Sequence, residues 1–140
     1  QDLHLTIVGD GPLLDEVVKK ANGFENIEVL GRVMKKERLM RLYRESTTLI
    51  MLSRTESFGL VYLEALSQGC NIVYTQGQGF DGWLSSKISN KGFGTKIEEV
   101  GKYLDDLSIW RYVEERVLTH YIDDFSWAII GKKWNDIYEE

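Results

Sequence analysis

The stretch that decides the fold is Ser53-Arg54-Thr55-Glu56-Ser57-Phe58-Gly59-Leu60-Val61-Tyr62-Leu63-Glu64-Ala65-Leu66. The apolar run Leu49-Ile50-Met51-Leu52 leads into it, and Leu60, Leu63 and Leu66 follow at helical spacing, with Ser, Thr and Gly filling the joint. The pattern predicts a strand, a tight turn, and a helix that begins near Phe58 or Gly59. Two carboxylates flank the joint: Glu56 on the turn at the strand's carboxyl end, and Glu64 about one helical turn beyond Leu60. Between them the backbone N–H groups around Phe58, Gly59, Leu60 and Val61 form a helix N-terminus, which favours an anion such as a phosphate, and Gly59 lets a ligand approach the backbone. A phosphate flanked by two hydroxyl-seeking carboxylates describes a nucleotide sugar. The plainer reading of the same residues is a helix start capped by Glu56, with Glu64 solvated.

Outward from this joint the chain alternates short apolar strands with helical segments. Leu3-His4-Leu5-Thr6-Ile7-Val8 reads as a strand, followed by the turn Gly9-Asp10-Gly11-Pro12, with Pro12 expected at the first helical position. Leu14, Val17, Val18 and Ala21 then form an apolar stripe that stops at Asn22-Gly23. Leu14 stands where a third glycine of a G-x-G-x-x-G dinucleotide fingerprint would fall, so these glycines serve the turn. Ile27-Glu28-Val29-Leu30 is a second strand, Lys36 to Glu45 a helix, and Leu49 to Leu52 the third strand. Asn71-Ile72-Val73-Tyr74 is the fourth strand, and Gly92 to Ile97 holds a last one. Helices are expected around Val100, Tyr103, Leu104 and Leu107, and around Trp110, Val113 and Val117. Trp127, Ile130, Trp134 and Ile137 mark a final helix capped by Ser126, its aromatic stripe reading as core. Alternation of this kind predicts an α/β fold, a doubly wound, Rossmann-like parallel sheet whose ligands bind beyond the carboxyl ends of the strands. Residues 1–140 are read as one domain.

Composition narrows the function classes. With 17 Lys plus Arg against 22 Asp plus Glu, the net charge of −5 argues against a nucleic-acid partner. Arg32, Lys35, Lys36, Arg38, Arg41 and Arg44 nevertheless crowd one segment, either as a solvated helix face or as a rim that attracts an anionic donor or a membrane surface. Cys70 is the sole cysteine, which excludes an internal disulfide and fits a reducing compartment, and its neighbours suggest a small buried residue between helix and strand. No signal peptide and no apolar run of about twenty residues is present.

The segment E-S-F-G-L-V-Y-L-E-A-L-S-Q-G resembles the E-x7-E segment of retaining glycosyltransferases of the GT-B fold, especially the large family 4 of sugar-nucleotide-dependent enzymes. Leu5 to Pro12, Asn26 to Val33, Leu42-Tyr43 and Phe125-Ser126-Trp127 stand in that family's order, so the resemblance covers the chain from about Leu3 to Glu140. It implies half of a GT-B fold: the carboxyl-terminal, donor-binding domain of a hexosyltransferase, an excised fragment inactive alone. By the same resemblance, the first strand of that domain, its diphosphate-gripping loop and the amino-terminal acceptor domain are expected to lie outside residues 1–140. By resemblance, Glu56 meets a hydroxyl of the transferred sugar as the catalytic-site carboxylate, and Glu64 binds the ribose hydroxyls. Ser57, Phe58, Gly59, Leu60 and Val61 hold the diphosphate, and Arg32, Val33 and Met34 border the nucleobase. The donor expected is a UDP- or GDP-linked sugar, with no metal and no cofactor, and the acceptor a glycan or lipid, as in polysaccharide biosynthesis. A cytoplasmic location is expected, with peripheral contact at the inner membrane face. The chain departs from the family in two places: Gly69-Cys70-Asn71 lacks the usual proline, and Gly77-Gln78-Gly79, within the loop Thr75 to Trp83, replaces a Gly-Gly pair.

Rival readings are a non-catalytic Rossmann-like assembly domain, docking through its basic face or its aromatic stripe, and a GT-B-like sugar-nucleotide 2-epimerase. The epimerase would show other acidic and histidine positions, whereas His4 and His120 look peripheral. A carboxylate pair also serves glycosidases, but nothing else in the chain suggests their architecture.

Overall fold

A computed structural model of the chain describes residues 3–82, 92–103 and 125–138. It divides into two compact units, Gln1–Leu39 and Met40–Glu140, taken in turn below. The fold is α/β, and among the described residues every strand pairing is parallel, as the alternating pattern predicts.

In the first unit, β1 (Leu5–Val8) pairs with β2 (Ile27–Gly31), with α1 (Leu14–Ala21) between them in sequence. Pro12 lies two residues before the helix, which corrects its expected position. The Leu14 N–H donates to the Gly11 carbonyl at 3.0 Å, so Pro12 occupies the second place of a four-residue turn that its fixed φ suits. The predicted stop at Asn22-Gly23 is present: the Asn22 N–H closes on the Val18 carbonyl at 3.1 Å, and Gly23 takes a φ of +96°. A register shift between Ile7 and Val8 sets Val8 opposite Gly31. The strand ends stay joined because the Gly9 N–H donates to the Gly31 carbonyl at 2.9 Å.

Helix α2 spans Lys36–Glu45, the range its pattern predicts. In the second unit, β3 (Thr48–Met51), β4 (Asn71–Thr75) and β5 (Gly92–Thr95) form a sheet in the order β3-β4-β5, with α3 (Leu60–Ser67) crossing from β3 to β4. The centre of this sheet is the core: Ile72, Val73 and Tyr74 of β4 are buried together with Tyr62, Leu63, Ala65 and Leu66 of α3, Cys70 and Phe80. Cys70 sits between α3 and β4 with no exposed surface, as expected, its thiol donating to the Tyr43 carbonyl.

Three expectations need correction. Leu60 is 69% exposed. At about 100° per residue, Tyr62, Leu63, Ala65 and Leu66 group on one arc of α3 and Leu60 falls outside it. The segment expected as a helix around Val100 is a 3₁₀ helix over Ile97–Tyr103, and Leu104, Leu107, Trp110, Val113, Val117, His120 and Trp83 lie outside the described residues. Helix α4 (Trp127–Tyr138) forms, and Ser126 caps it by accepting from the Ile129 N–H at 3.3 Å, yet its stripe is not core. Trp127 is 87% exposed, and Trp134 and Ile137 are more than half exposed, because apolar spacing defines a face without defining what covers it. Among the described residues no helix is long and apolar enough to cross a membrane.

Candidate functional site

Strand β3 ends at Met51, and the chain turns through residues 52–59 before α3 begins at Leu60. The turn depends on Gly59, the N-cap of α3, whose φ of +81° lies in the left-handed region. A Cβ at this position would run into the Tyr62 ring. Tyr62 has no room to yield, since it is fully buried and its hydroxyl donates to the Met51 carbonyl at 3.0 Å. With Gly59 as N-cap, the helix start carries no side-chain cap, so the plainer role imagined for Glu56 is not the one it has. The Tyr62 N–H is taken by the Gly59 carbonyl at 3.0 Å. Among the described residues this leaves the amides of Gly59, Leu60 and Val61 as donors at the start of α3.

Glu56 and Glu64 stand on either side of these amides. Both are half-buried, and among the described residues neither carboxylate forms an ion pair. Glu64 lies about 6 Å along the axis from Leu60 and about 40° around it, so the two share the side of α3 away from the core. Ser57 and Leu60 are exposed, and Phe58 turns inward onto Phe80 with ring centroids 5.3 Å apart. The expected joint therefore forms as a strand, a turn and a helix, with Glu56 on the turn, Glu64 on α3 and Phe58 packed against Phe80.

Arg32, Val33 and Met34 follow β2 in the first unit. Met34 is 74% exposed, Val33 is half-buried, and the Arg32 guanidinium lies 3.5 Å from the Asp10 carboxylate, both side chains more than half exposed. Such a pair contributes little to stability.

Around the second-unit site the phenols are held neutral. Burial, followed by the charge of Glu64, pushes the Tyr43 hydroxyl up to about 12. Burial also raises Tyr62 and Tyr74, the latter helped by its hydrogen bond to Asp81. Each phenol thus remains a hydrogen-bond donor at neutral pH.

The end of β4 and the loop after it, which the sequence puts at the ligand end of the sheet, join the site through hydrogen bonds that sequence reasoning missed. The Gln78 side chain accepts from the Glu56 N–H at 2.8 Å and donates to the Arg54 carbonyl at 3.2 Å, while the Thr75 hydroxyl donates to the Ser53 carbonyl at 2.7 Å. Asp81 accepts from the Tyr74 hydroxyl at 2.7 Å and from the Gly77 N–H at 2.9 Å. The one available signal was the departure of Gly77-Gln78-Gly79 from the family pattern. Among the described residues no group of three or more His, Cys, Asp or Glu could hold a metal ion.

The family model described as "Glycosyl transferases group 1" matches residues 1–103. The chain is 26% identical over 143 residues to an alpha-monoglucosyldiacylglycerol synthase of Streptococcus pneumoniae, covering 97% of this chain and 31% of that protein. It is also 26% identical over 148 residues to an N-acetyl-alpha-D-glucosaminyl L-malate synthase of Bacillus anthracis, covering 98% of this chain and 37% of that protein. The chain therefore spans about a third of the length of the curated relatives it matches.

Proposed function

The chain belongs to the group 1 glycosyltransferases, and from that membership we propose that it is the donor-binding part of a retaining enzyme that transfers a hexose from a nucleotide-diphosphate sugar to a glycan or lipid acceptor. One observation carries the reading: two half-buried carboxylates, Glu56 and Glu64, flank the donor amides of a helix start at the carboxyl end of a parallel strand. A carboxylate accepts two hydroxyl hydrogen bonds well, and helix-start amides stabilise a departing diphosphate without a metal. Glu64 binds the ribose hydroxyls, Glu56 a hydroxyl of the hexose, and Ser57 to Val61 the diphosphate. No cofactor is required, and the acceptor is bound by a further domain of the same polypeptide.

The names of both relatives specify an alpha-linked glucose-type sugar in the product. An α-linked nucleotide sugar yields an α product when configuration is retained, which supports the retaining reading. The two names differ in what carries the sugar, a diacylglycerol and a malate, so they leave the acceptor class broad. The test is calorimetric titration of the full-length polypeptide with UDP, GDP and their sugar conjugates. One nucleotide is expected to bind, and Glu64→Ala to weaken it at least about tenfold, as for loss of a charge-assisted hydrogen-bond pair. Binding unchanged in a folded Glu64→Ala variant overturns the assignment.

A further inference from the structure

We propose that Gln78 is a positioning residue for Glu56: its amide fixes the turn that presents the carboxylate to the donor sugar. The proposal rests on the role given to Glu56 above.

The turn at residues 54–56 offers Gln78 one donor and one acceptor, the Glu56 N–H and the Arg54 carbonyl. Of the side chains of this length, a glutamine amide alone supplies both complements: its carbonyl accepts at 2.8 Å and its NH₂ donates at 3.2 Å. The contact spans 22 residues of sequence and holds the backbone of Glu56 itself.

Gln78 is in turn presented by an anchored loop. On one side Asp81 ties the Gly77 N–H at 2.9 Å, and the Asp81 N–H closes on the Gln78 carbonyl at 2.9 Å. On the other, Phe80 is fully buried against Phe58, Tyr62 and Tyr74. The Gln76 N–H donates to the Thr95 carbonyl of β5 at 3.0 Å, joining the loop to the sheet. Gly79 lies so close to the Ser57 carbonyl that a Cβ there would overlap it. The turn that carries Glu56 is thus hydrogen-bonded at Ser53 by Thr75, the last residue of β4, and at Arg54 and Glu56 by Gln78, and it packs at Ser57 against Gly79. A displacement of about 1 Å in such a group is enough to cost a large factor in a site that depends on orientation.

The experiment measures the sugar increment, the ratio of the dissociation constant of a nucleotide to that of its sugar conjugate, using UDP with UDP-glucose and GDP with GDP-mannose on the full-length polypeptide. Gln78→Met keeps the length of the side chain and removes both hydrogen bonds. It is expected to lower the increment about fivefold or more while leaving UDP or GDP affinity within about twofold, and to lower it no further in a Glu56→Gln background. If Gln78→Met does not fold, Gln78→Glu, which keeps the acceptor and loses the donor, is read by the same comparison and is expected to act in the same direction. An unchanged increment, or an equal fall in both backgrounds, overturns the proposal while Glu56 keeps its role. An increment indifferent to Glu56→Gln overturns the reading of Glu56, and the proposal with it.

Discussion

Gly59 carries the sharpest single-residue constraint. Its left-handed φ and the Tyr62 ring behind it together exclude a side chain, so Gly59→Ala is expected to cost about 1–3 kcal/mol and to lower Tm by several degrees. A thermal melt unchanged within a degree would contradict it. Burial places a second constraint on pH. It lifts the Cys70 thiol from 9.0 and the Tyr43 phenol from 10.0, each to about 12. Both groups have folded values above their unfolded ones, so their contribution to stability is complete below about pH 9 and is lost as pH climbs toward 12. Tm measured against pH should therefore stay level up to about 9 and fall beyond it, less steeply in Cys70→Ala. At this scale the strand, turn and helix start that carry Glu56, Gly59 and Glu64 were legible because hydrophobic spacing and turn residues mark them. Gln78 stayed hidden, because the partner of its amide lies 22 positions away and no periodicity marks it.

Among the elements, those bounded by clear signals were read well. Helix α2 and the cores of β2, β3 and β4 fall where hydrophobic spacing puts them, and α1 and α4 stop or start at Asn22-Gly23 and Ser126. The misreadings were of facing. Leu60 and the Trp127 to Ile137 stripe are apolar residues left outside, since pattern fixes which residues share a side and packing decides whether that side is covered. The loop after β4 shows the reverse case, a glycine-rich stretch that behaves as a packed element. Phe80 joins it to α3 and β4, with ring centroids 5.1 Å from Tyr62 and 6.0 Å from Tyr74. Phe80→Ala is expected to destabilise the fold by about 3–5 kcal/mol, the range for emptying a buried aromatic site. Denaturant unfolding would measure this, and a loss below about 1 kcal/mol would mean that the loop is not part of the core.

Over the whole molecule, burial is unevenly shared. Every buried residue among those described lies at Tyr43 or beyond, and none falls in the unit Gln1–Leu39. Few buried apolar contacts mean low-energy local opening. In hydrogen exchange on this chain, the amides of β1 and β2 should exchange at least about tenfold faster than those of β3 and β4, and equal protection would refute this. The lone cysteine has a practical consequence. A thiol with no exposed surface, raised well above neutral pH and donating its proton to the Tyr43 carbonyl, is silent to maleimide dyes. In this chain a Ser57→Cys substitution would therefore create a single labelling point on the turn beside Glu56, where a fluorophore could report the arrival of a nucleotide above the background of four tryptophans.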